Sequence, residues 1–198
     1  MKAIQLRSDI YDNLRKNISQ LENCSDDEFD VLVSKSEIVN LNKGEFFLKE
    51  GQISNHMAFI DKGLAMYYKI VDGVEIPFDF AIESQWLAYL KSFTHRTPSD
   101  MNIKVLEDTT LFTFEAGKLQ ELMTSHPKFL ALRSYNVEKS LADVAQHGAN
   151  LATLDAKQRY YQLMKDKPYL INRVPQYYLA AYLGIKPQSL SRIRKEAL

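Results

Sequence analysis

The sequence has few of the residues that build covalent or metal cross-links. Cys24 is the single cysteine among 198 residues, which excludes an intrachain disulfide and any zinc or iron–sulfur site made from several cysteines of one chain. No run of 18 uncharged apolar residues occurs, and the first residues form no apolar signal segment. We therefore expect a cytoplasmic protein with no membrane partner.

Signs of catalysis are also missing. The four histidines are scattered along the chain and form no His-x-His pair; they are His56, His95, His126 and His147. No grouping of serine, histidine and aspartate has the spacing of a nucleophilic site. The sequence thus predicts no metal site, no cofactor and no enzyme.

The net charge is zero, but the charges are unevenly distributed. The segment from Asp155 onward contains nine lysines and arginines and three aspartates and glutamates, so its net charge is +6 and that of residues 1–154 is −6. A basic segment attached to an acidic one is typical of a phosphate-binding module on a separate body. The alternative is an ordinary solvated helical surface.

The chain begins with a helical pattern and then changes period. Residues 5–33 have apolar residues at helical spacing, namely Ile10, Leu14, Ile18 and Leu21. A second short helix is predicted to begin after Ser25, because Ser25 followed by Glu28 is a capping box. From residue 36 to about 114, short segments rich in β-formers are separated by turn signals, which indicates a β-sandwich or jelly roll. Asp72-Gly73 is a strong hairpin signal within it.

A long helix is predicted after Pro127, running to about Leu151. Along it, residues at alternating spacings of four and three form the a/d seam of a two-helix coiled coil: Val137, Leu141, Val144, Gly148 and Leu151. Gly148 costs about 1 kcal/mol of helix propensity against alanine, but it lets two backbones approach closely. The stripe predicts self-association, and the alternative is that it packs on the chain's own barrel.

The last 23 residues have the pattern of a helix-turn-helix. Leu179, Ala180 and Leu183 lie at helical spacing, and Gly184 follows where a left-handed residue can end the helix. Pro187 suits the first turn of a second helix. That helix has two apolar residues that would face the first, Leu190 and Ile193. Its outer face carries side chains that hydrogen-bond base edges and phosphates: Gln188, Ser189, Arg192 and Lys195. This pattern predicts DNA binding, with an ordinary αα-corner as the alternative.

The motif Leu179-Ala-x-x-Leu-Gly-Ile-x-Pro-x-x-Leu-Ser-Arg-Ile-Arg194, with residues 42–51, 59–67 and 106–111 of the barrel, resembles the CRP/FNR family (cyclic-AMP receptor protein / fumarate–nitrate regulator) of bacterial transcription factors. The resemblance extends over nearly the whole chain. It implies an α+β fold with an N-terminal jelly roll, a dimerisation helix and a C-terminal helix-turn-helix. The corresponding domains are residues 1–126, 127–152 and 153–198.

The cyclic-nucleotide cassette departs from the family pattern. Members that bind the nucleotide have Phe-Gly-Glu-Leu and, a dozen residues on, Pro-Arg; here residues 86–93 read Trp-Leu-Ala-Tyr-Leu-Lys-Ser-Phe and Pro98 is followed by Ser99. The phosphate would therefore lack its bidentate arginine, and cyclic AMP is not expected. A cavity filled by aromatic side chains, or adapted to another small effector, is expected instead. Its candidate residues are Trp86, Tyr89, Lys91, Phe93, Arg96 and Ser99.

The resemblance implies a homodimer that places two recognition helices, near residues 187–197, in successive major grooves of double-stranded DNA. By position in the motif, the expected base contacts are Gln188, Ser189 and Arg192. The expected phosphate contacts are Lys186, Arg194 and Lys195. RNA polymerase and an unidentified small-molecule effector are candidate partners on the resemblance alone. The alternative from another class is a cupin-like barrel enzyme, or a small-molecule carrier, with a helical tail.

Overall fold

The computed structural model describes residues 10–19 and 23–196. The chain forms two compact units. The first comprises the chain up to Met66 together with Phe80–Glu138, and the second comprises Tyr67–Asp79 together with the chain from Lys139 onward. The second unit is therefore built from two separate stretches of sequence.

In the described part of the chain, helices precede and follow the strands in sequence. In chain order the elements are α1 (Asp12–Ser19), α2 (Asp26–Ser34), β1 (Ser36–Leu41), β2 (Phe46–Leu48), β3 (His56–Lys62), β4 (Leu64–Val71), β5 (Val74–Ile82), β6 (Trp86–Leu87), α3 (Leu90–His95), β7 (Asn102–Val105) and β8 (Thr109–Glu115). They continue with α4 (Ala116–Ser125), α5 (Pro127–Thr153), α6 (Ala156–Asp166), α7 (Leu170–Arg173), α8 (Gln176–Tyr182) and α9 (Pro187–Glu196).

The strands form two four-stranded sheets, ordered β1-β8-β3-β6 and β2-β7-β4-β5. β8 is the antiparallel partner of both β1 and β3, so that Phe112 lies opposite Ile38 on one side and Phe59 on the other. Phe59 and Phe112 are fully buried and their rings stack. Most strands that are adjacent in a sheet are not consecutive in the sequence, as in a jelly roll. The predicted fold class is confirmed.

Two tight turns between strands have left-handed backbone angles at Asp72-Gly73 and at Gly63. Asp72 and Gly73 have φ of 51° and 78°, the two left-handed residues that a two-residue hairpin requires. Gly63, between β3 and β4, has φ of 115°, and a Cβ atom there would lie 2.2 Å from the hydroxyl oxygen of Thr109. Only glycine fits this position, because both the backbone angle and the neighbouring strand exclude a side chain.

Four helices, α1 to α4, and the start of α5 pack against the first sheet. One apolar cluster joins Leu14 and Ile18 of α1 to Phe29 of α2 and to Phe59 and Phe112 of the sheet. The predicted spacing of buried residues in α1 is thus confirmed at Leu14 and Ile18, whereas Ile10 is exposed. The predicted position Leu21 lies outside the described residues.

The predicted capping box at α2 is present. The backbone N–H of Ser25 donates to the Glu28 carboxylate at 2.9 Å, and the Glu28 N–H donates to the Ser25 hydroxyl at 3.3 Å. Lys128 of α5 lies 2.6 Å from the same carboxylate. The Lys128 ammonium, followed by the Ser25 amide, lowers the pKa of Glu28 to about 2. A second capping box, at Asp155 and Gln158, starts α6.

Candidate nucleic-acid interface

The two helices near the carboxyl end, α8 and α9, form a helix-turn-helix within the second unit. Gly184 ends α8 with φ of 66°. The Ile185 N–H donates to the Ala180 carbonyl at 2.9 Å, and the Gly184 N–H donates to the Ala181 carbonyl at 3.0 Å. These two bonds are the Schellman arrangement, in which a left-handed residue satisfies the last helical carbonyls. The predicted role of Gly184 is confirmed.

The sides of α8 and α9 that face each other are apolar and buried. Ala180 on α8 and Leu190 on α9 are fully buried, and Ile193 is 9 % exposed. Because Ala180 has only a methyl group, the helix axes can approach closely at this point. The packing predicted from Leu190 and Ile193 is therefore observed, and it fixes which face of α9 remains outside.

The outer face of α9 carries the predicted DNA-contacting residues. Gln188 and Arg192 are exposed and Ser189, between them on the first turns, is half-buried. The three predicted phosphate-contacting residues are basic, with Lys186 and Lys195 exposed and Arg194 half-buried. Pro187 occupies the first turn of α9, where its missing N–H leaves no intrahelical bond unmade. A polar and basic strip thus follows the side of the helix opposite the core.

The β4–β5 hairpin contacts the helices inside the second unit. The hydroxyl of Tyr178 on α8 donates to the carboxylate of Glu75 on β5. Burial, then this hydrogen bond, raises the pKa of Tyr178. Lys167, directly after α6, lies 2.9 Å from the carboxylate of Asp79, with about a fifth to a quarter of each side chain exposed. Burial alone would lower the pKa of Lys167, but Asp79 raises it above its usual value.

No pattern in the sequence indicates these hairpin contacts. Glu75 and Tyr178 are separated by 103 residues and Asp79 and Lys167 by 88. Neither pair belongs to a motif, and side-chain contacts between residues so far apart in sequence follow only from the tertiary fold. The proximity of the β4–β5 hairpin to the basic helical segment is a property of the tertiary fold alone.

The predicted dimer seam lies along α5, and most of it is uncovered. Leu141 is 67 % exposed, Val144 51 % and Leu151 40 %. Val137 is half-buried, and a Cβ atom at Gly148 would meet nothing within 4 Å. Leu130, seven residues before Val137, is also exposed and continues the stripe at heptad spacing. The stripe is thus available for a partner.

The candidate effector residues are divided between the core and the surface. Trp86 and Phe93 belong to the apolar cluster beneath α1 and α2. The Trp86 indole lies edge-on to Phe59 with ring centroids 5.5 Å apart, and its N–H donates to the Asn17 side chain at 3.3 Å. These two aromatic side chains therefore fill space between the sheet and the helices.

The polar candidates are held by neighbouring groups of the first unit. The Tyr89 hydroxyl donates to Asp100 at 2.5 Å, and Lys91 lies 3.4 Å from the same carboxylate. Burial, then the bond to Asp100, raises the pKa of Tyr89 to about 12. The Arg96 guanidinium donates to the Ser54 carbonyl at 3.1 Å. The Ser99 hydroxyl donates to the backbone of the turn that it begins.

Within residues 10–19 and 23–196, histidine, cysteine and carboxylate side chains form no group of three that could hold a metal ion. In the same ranges, no helix combines the length and the apolar content that crossing a bilayer requires.

Comparison with known proteins places this architecture. Residues 38–126 match the model of the cyclic nucleotide-binding domain family. No curated protein matches the chain in sequence. Among solved structures, the c-di-GMP responsive global regulator CLP of Xanthomonas campestris superposes with a TM-score of 0.71 at 15 % identity, over 87 % of this chain and 91 % of that one.

Two more structures have the same organisation. FixK2 from Bradyrhizobium japonicum gives a TM-score of 0.73 at 13 % identity, over 81 % of this chain and 83 % of that one. A protein from Eubacterium rectale assigned to the CRP/FNR family of transcriptional regulators gives 0.68 at 12 % identity, over 87 % and 82 %. The chain thus has the fold of these solved regulators, and its residues 38–126 are similar to the cyclic nucleotide-binding domain family. The resemblance predicted from the sequence is confirmed at this level.

Proposed function

We propose that this protein is a sequence-specific DNA-binding transcriptional regulator that acts as a homodimer. The observation that carries the proposal is the position of α9. Its apolar residues Leu190 and Ile193 close against α8, while Gln188 and Arg192 project from the opposite side. A helix held in this way can enter the major groove, with its first residues at the base edges.

The side chains on α9 suit two kinds of contact. Arg192 carries a forked guanidinium that can bind O6 and N7 of guanine together, and Gln188 can bind adenine in the same bidentate manner. Lys186 and Lys195 lie at opposite ends of the helix and supply positive charge for phosphates on the two sides of the groove. The net charge of +6 from Asp155 onward supports binding to a polyanion.

The exposed stripe on α5 supports the dimer. A leucine that is 67 % exposed in a single chain gains free energy when a second stripe covers it, about 25 cal/mol for each Å² removed from water. Gly148, with open space where a Cβ atom would be, permits close approach of two helices. Two recognition helices related by a twofold axis would read half-sites about 34 Å apart, one turn of DNA.

We also propose that cyclic AMP is not the effector. Ser99 stands where nucleotide-binding relatives have arginine, and the nearby cations Lys91 and Arg96 already bind Asp100 and the Ser54 carbonyl. A phosphate would have to replace these partners. Titration calorimetry with cyclic AMP is expected to show no binding. A dissociation constant tighter than about 100 μM, near −5.5 kcal/mol, would contradict this proposal. Control by another effector in the jelly roll stays a prediction.

Selection of duplexes from a random pool tests the DNA-binding proposal. The full chain is expected to enrich one pseudo-palindromic sequence and to bind it at least about 10³ times more tightly than random duplex at the same salt. Sedimentation of the free protein checks the dimer in parallel. No enrichment at low salt, with a folded protein, would overturn the proposal.

A further inference from the structure

Arg159, at the end of the first turn of α6, donates hydrogen bonds to backbone carbonyls near the ends of two other helices. Its Nε donates to the carbonyl of Leu183 at 2.8 Å, and one Nη donates to the carbonyl of Leu154 at 2.6 Å and, more weakly, to that of Leu151 at 3.4 Å. Leu183 is the C-cap of α8, whereas Leu151 and Leu154 lie at the end of α5. One side chain thus joins the seam helix to the turn of the helix-turn-helix.

These carbonyls need an external donor. The last four carbonyls of a helix have no partner within it, and the guanidinium group offers several N–H donors in a fixed planar fork. A lysine would supply a single point of charge and could not hold two helix ends in one orientation. The chemistry of the site therefore requires arginine rather than a positive charge alone.

Two other contacts within the second unit lie at the same joint. A Cβ atom on Gly184 would lie 3.4 Å from Cδ2 of Leu151, so the seam leucine reaches the turn itself. The ring of His147 on α5 stacks on that of Tyr182 on α8, with centroids 3.9 Å apart. The carboxyl-terminal part of α5 and the helix-turn-helix are therefore in direct contact at two further points.

We infer that Arg159 is a positioning residue: it fixes the turn at Leu183–Gly184 against the end of α5 and so sets the direction of the recognition helix relative to the dimer seam. This inference rests on the proposed function and adds to it a residue that touches neither base nor phosphate. Sequence readout needs α9 held in register with the groove, whereas attraction to phosphates depends mainly on charge.

Three proteins test the inference: wild type, Arg159→Lys, which keeps the charge, and Lys165→Gln, which removes a charge from an exposed site on the same helix. Binding is measured to the duplex that wild type selects and to random duplex. Arg159→Lys is expected to lose about tenfold or more on the selected duplex, the worth of one base contact, and to stay within about twofold on random duplex. Lys165→Gln is expected to keep the wild-type ratio between the two.

Hydrogen exchange of the free proteins gives a second readout that needs no DNA. Faster exchange of the Gly184 and Ile185 amides in Arg159→Lys, with an unchanged dimer dissociation constant, is expected. Wild-type exchange at these amides, or an unchanged ratio of selected to random affinity, would overturn the inference. If wild type selects no duplex, the proposed function fails, and the exchange result alone decides whether Arg159 holds the turn.

Discussion

The imidazole of His147 and the phenol ring of Tyr182 lie face to face, 3.9 Å apart and within 4° of parallel. His147 belongs to α5, the helix of the predicted dimer seam, and Tyr182 belongs to the first helix of the helix-turn-helix. Burial lowers the pKa of His147, Asp79 raises it, and Lys167 and Arg159 lower it. Burial also raises the pKa of Tyr182 to about 12. The neutral forms of both rings are therefore favoured in the folded protein.

This stack predicts a pH dependence of stability. Because the folded pKa of His147 lies below its ordinary value of 6.5, the unfolded chain binds the proton more readily. The stabilisation is complete above pH 6.5 and is lost as the pH falls through the lowered value. Thermal unfolding between pH 7.5 and 5 measures the effect. His147→Phe keeps a stacked ring without a proton site, so its melting temperature should fall less over this range. Parallel profiles for the two proteins would contradict the assignment.

A second prediction concerns Gly63. Gly63→Ala introduces a strained φ and a contact of 2.2 Å with Thr109, which together should destabilise the fold by about 2–4 kcal/mol. Gly44→Ala is the matched control, because Gly44 has φ of 90° with nothing within 4 Å of an added Cβ. It should cost only about 1 kcal/mol. Urea unfolding of both variants gives the comparison, and equal losses would show that the Thr109 contact relaxes freely.

A third prediction tests the seam. Leu141→Glu places a carboxylate in the proposed apolar interface and should weaken dimerisation by at least about 2 kcal/mol, roughly thirtyfold in the dissociation constant. Ala142→Glu adds the same charge to an exposed neighbour on α5 and should leave the dimer within about threefold. Sedimentation equilibrium measures both. A Leu141→Glu protein that dimerises like wild type would place the interface elsewhere.

A fourth prediction separates base from phosphate contacts on α9. Arg192→Ala should cost about 1–3 kcal/mol on the selected duplex and relax the preference at one base position. Lys195→Ala should weaken selected and random duplexes about equally and reduce the salt slope by about 1. Fluorescence anisotropy at several salt concentrations distinguishes the two patterns. Equal losses on both duplexes for Arg192→Ala would refute base recognition by this side chain.

Local signals in the sequence predicted much of the fold. The capping box at Ser25 and the left-handed turns at Gly73 and Gly184 depend on residues within a few positions of each other. The hydrogen bonds and backbone angles that define these features involve residues within about one turn of chain, so they can be predicted from one sequence. The jelly roll followed from the number and spacing of short strands, which a sandwich requires whatever its exact pairing.

The parts that sequence did not predict depend on distant residues. Trp86 was a candidate for an effector pocket, yet its neighbours Asn17, Phe59 and Phe114 come from α1, β3 and β8. Arg159 has no motif around it, and its acceptors are backbone carbonyls, which carry no sequence information. The candidate DNA-contacting face was predictable because helical periodicity alone decides which residues of α9 are outside.

The β4–β5 hairpin has a consequence for any attempt to isolate the helix-turn-helix from the rest of the chain. Asp79 and Glu75 belong to the same compact unit as Lys167 and Tyr178, although some sixty residues of jelly roll and helix intervene along the chain. A piece cut from Lys139 to the carboxyl end would expose an ammonium group and a tyrosine that have lost their carboxylate partners. We therefore expect the truncated fragment to be less stable than the same residues are within the intact protein.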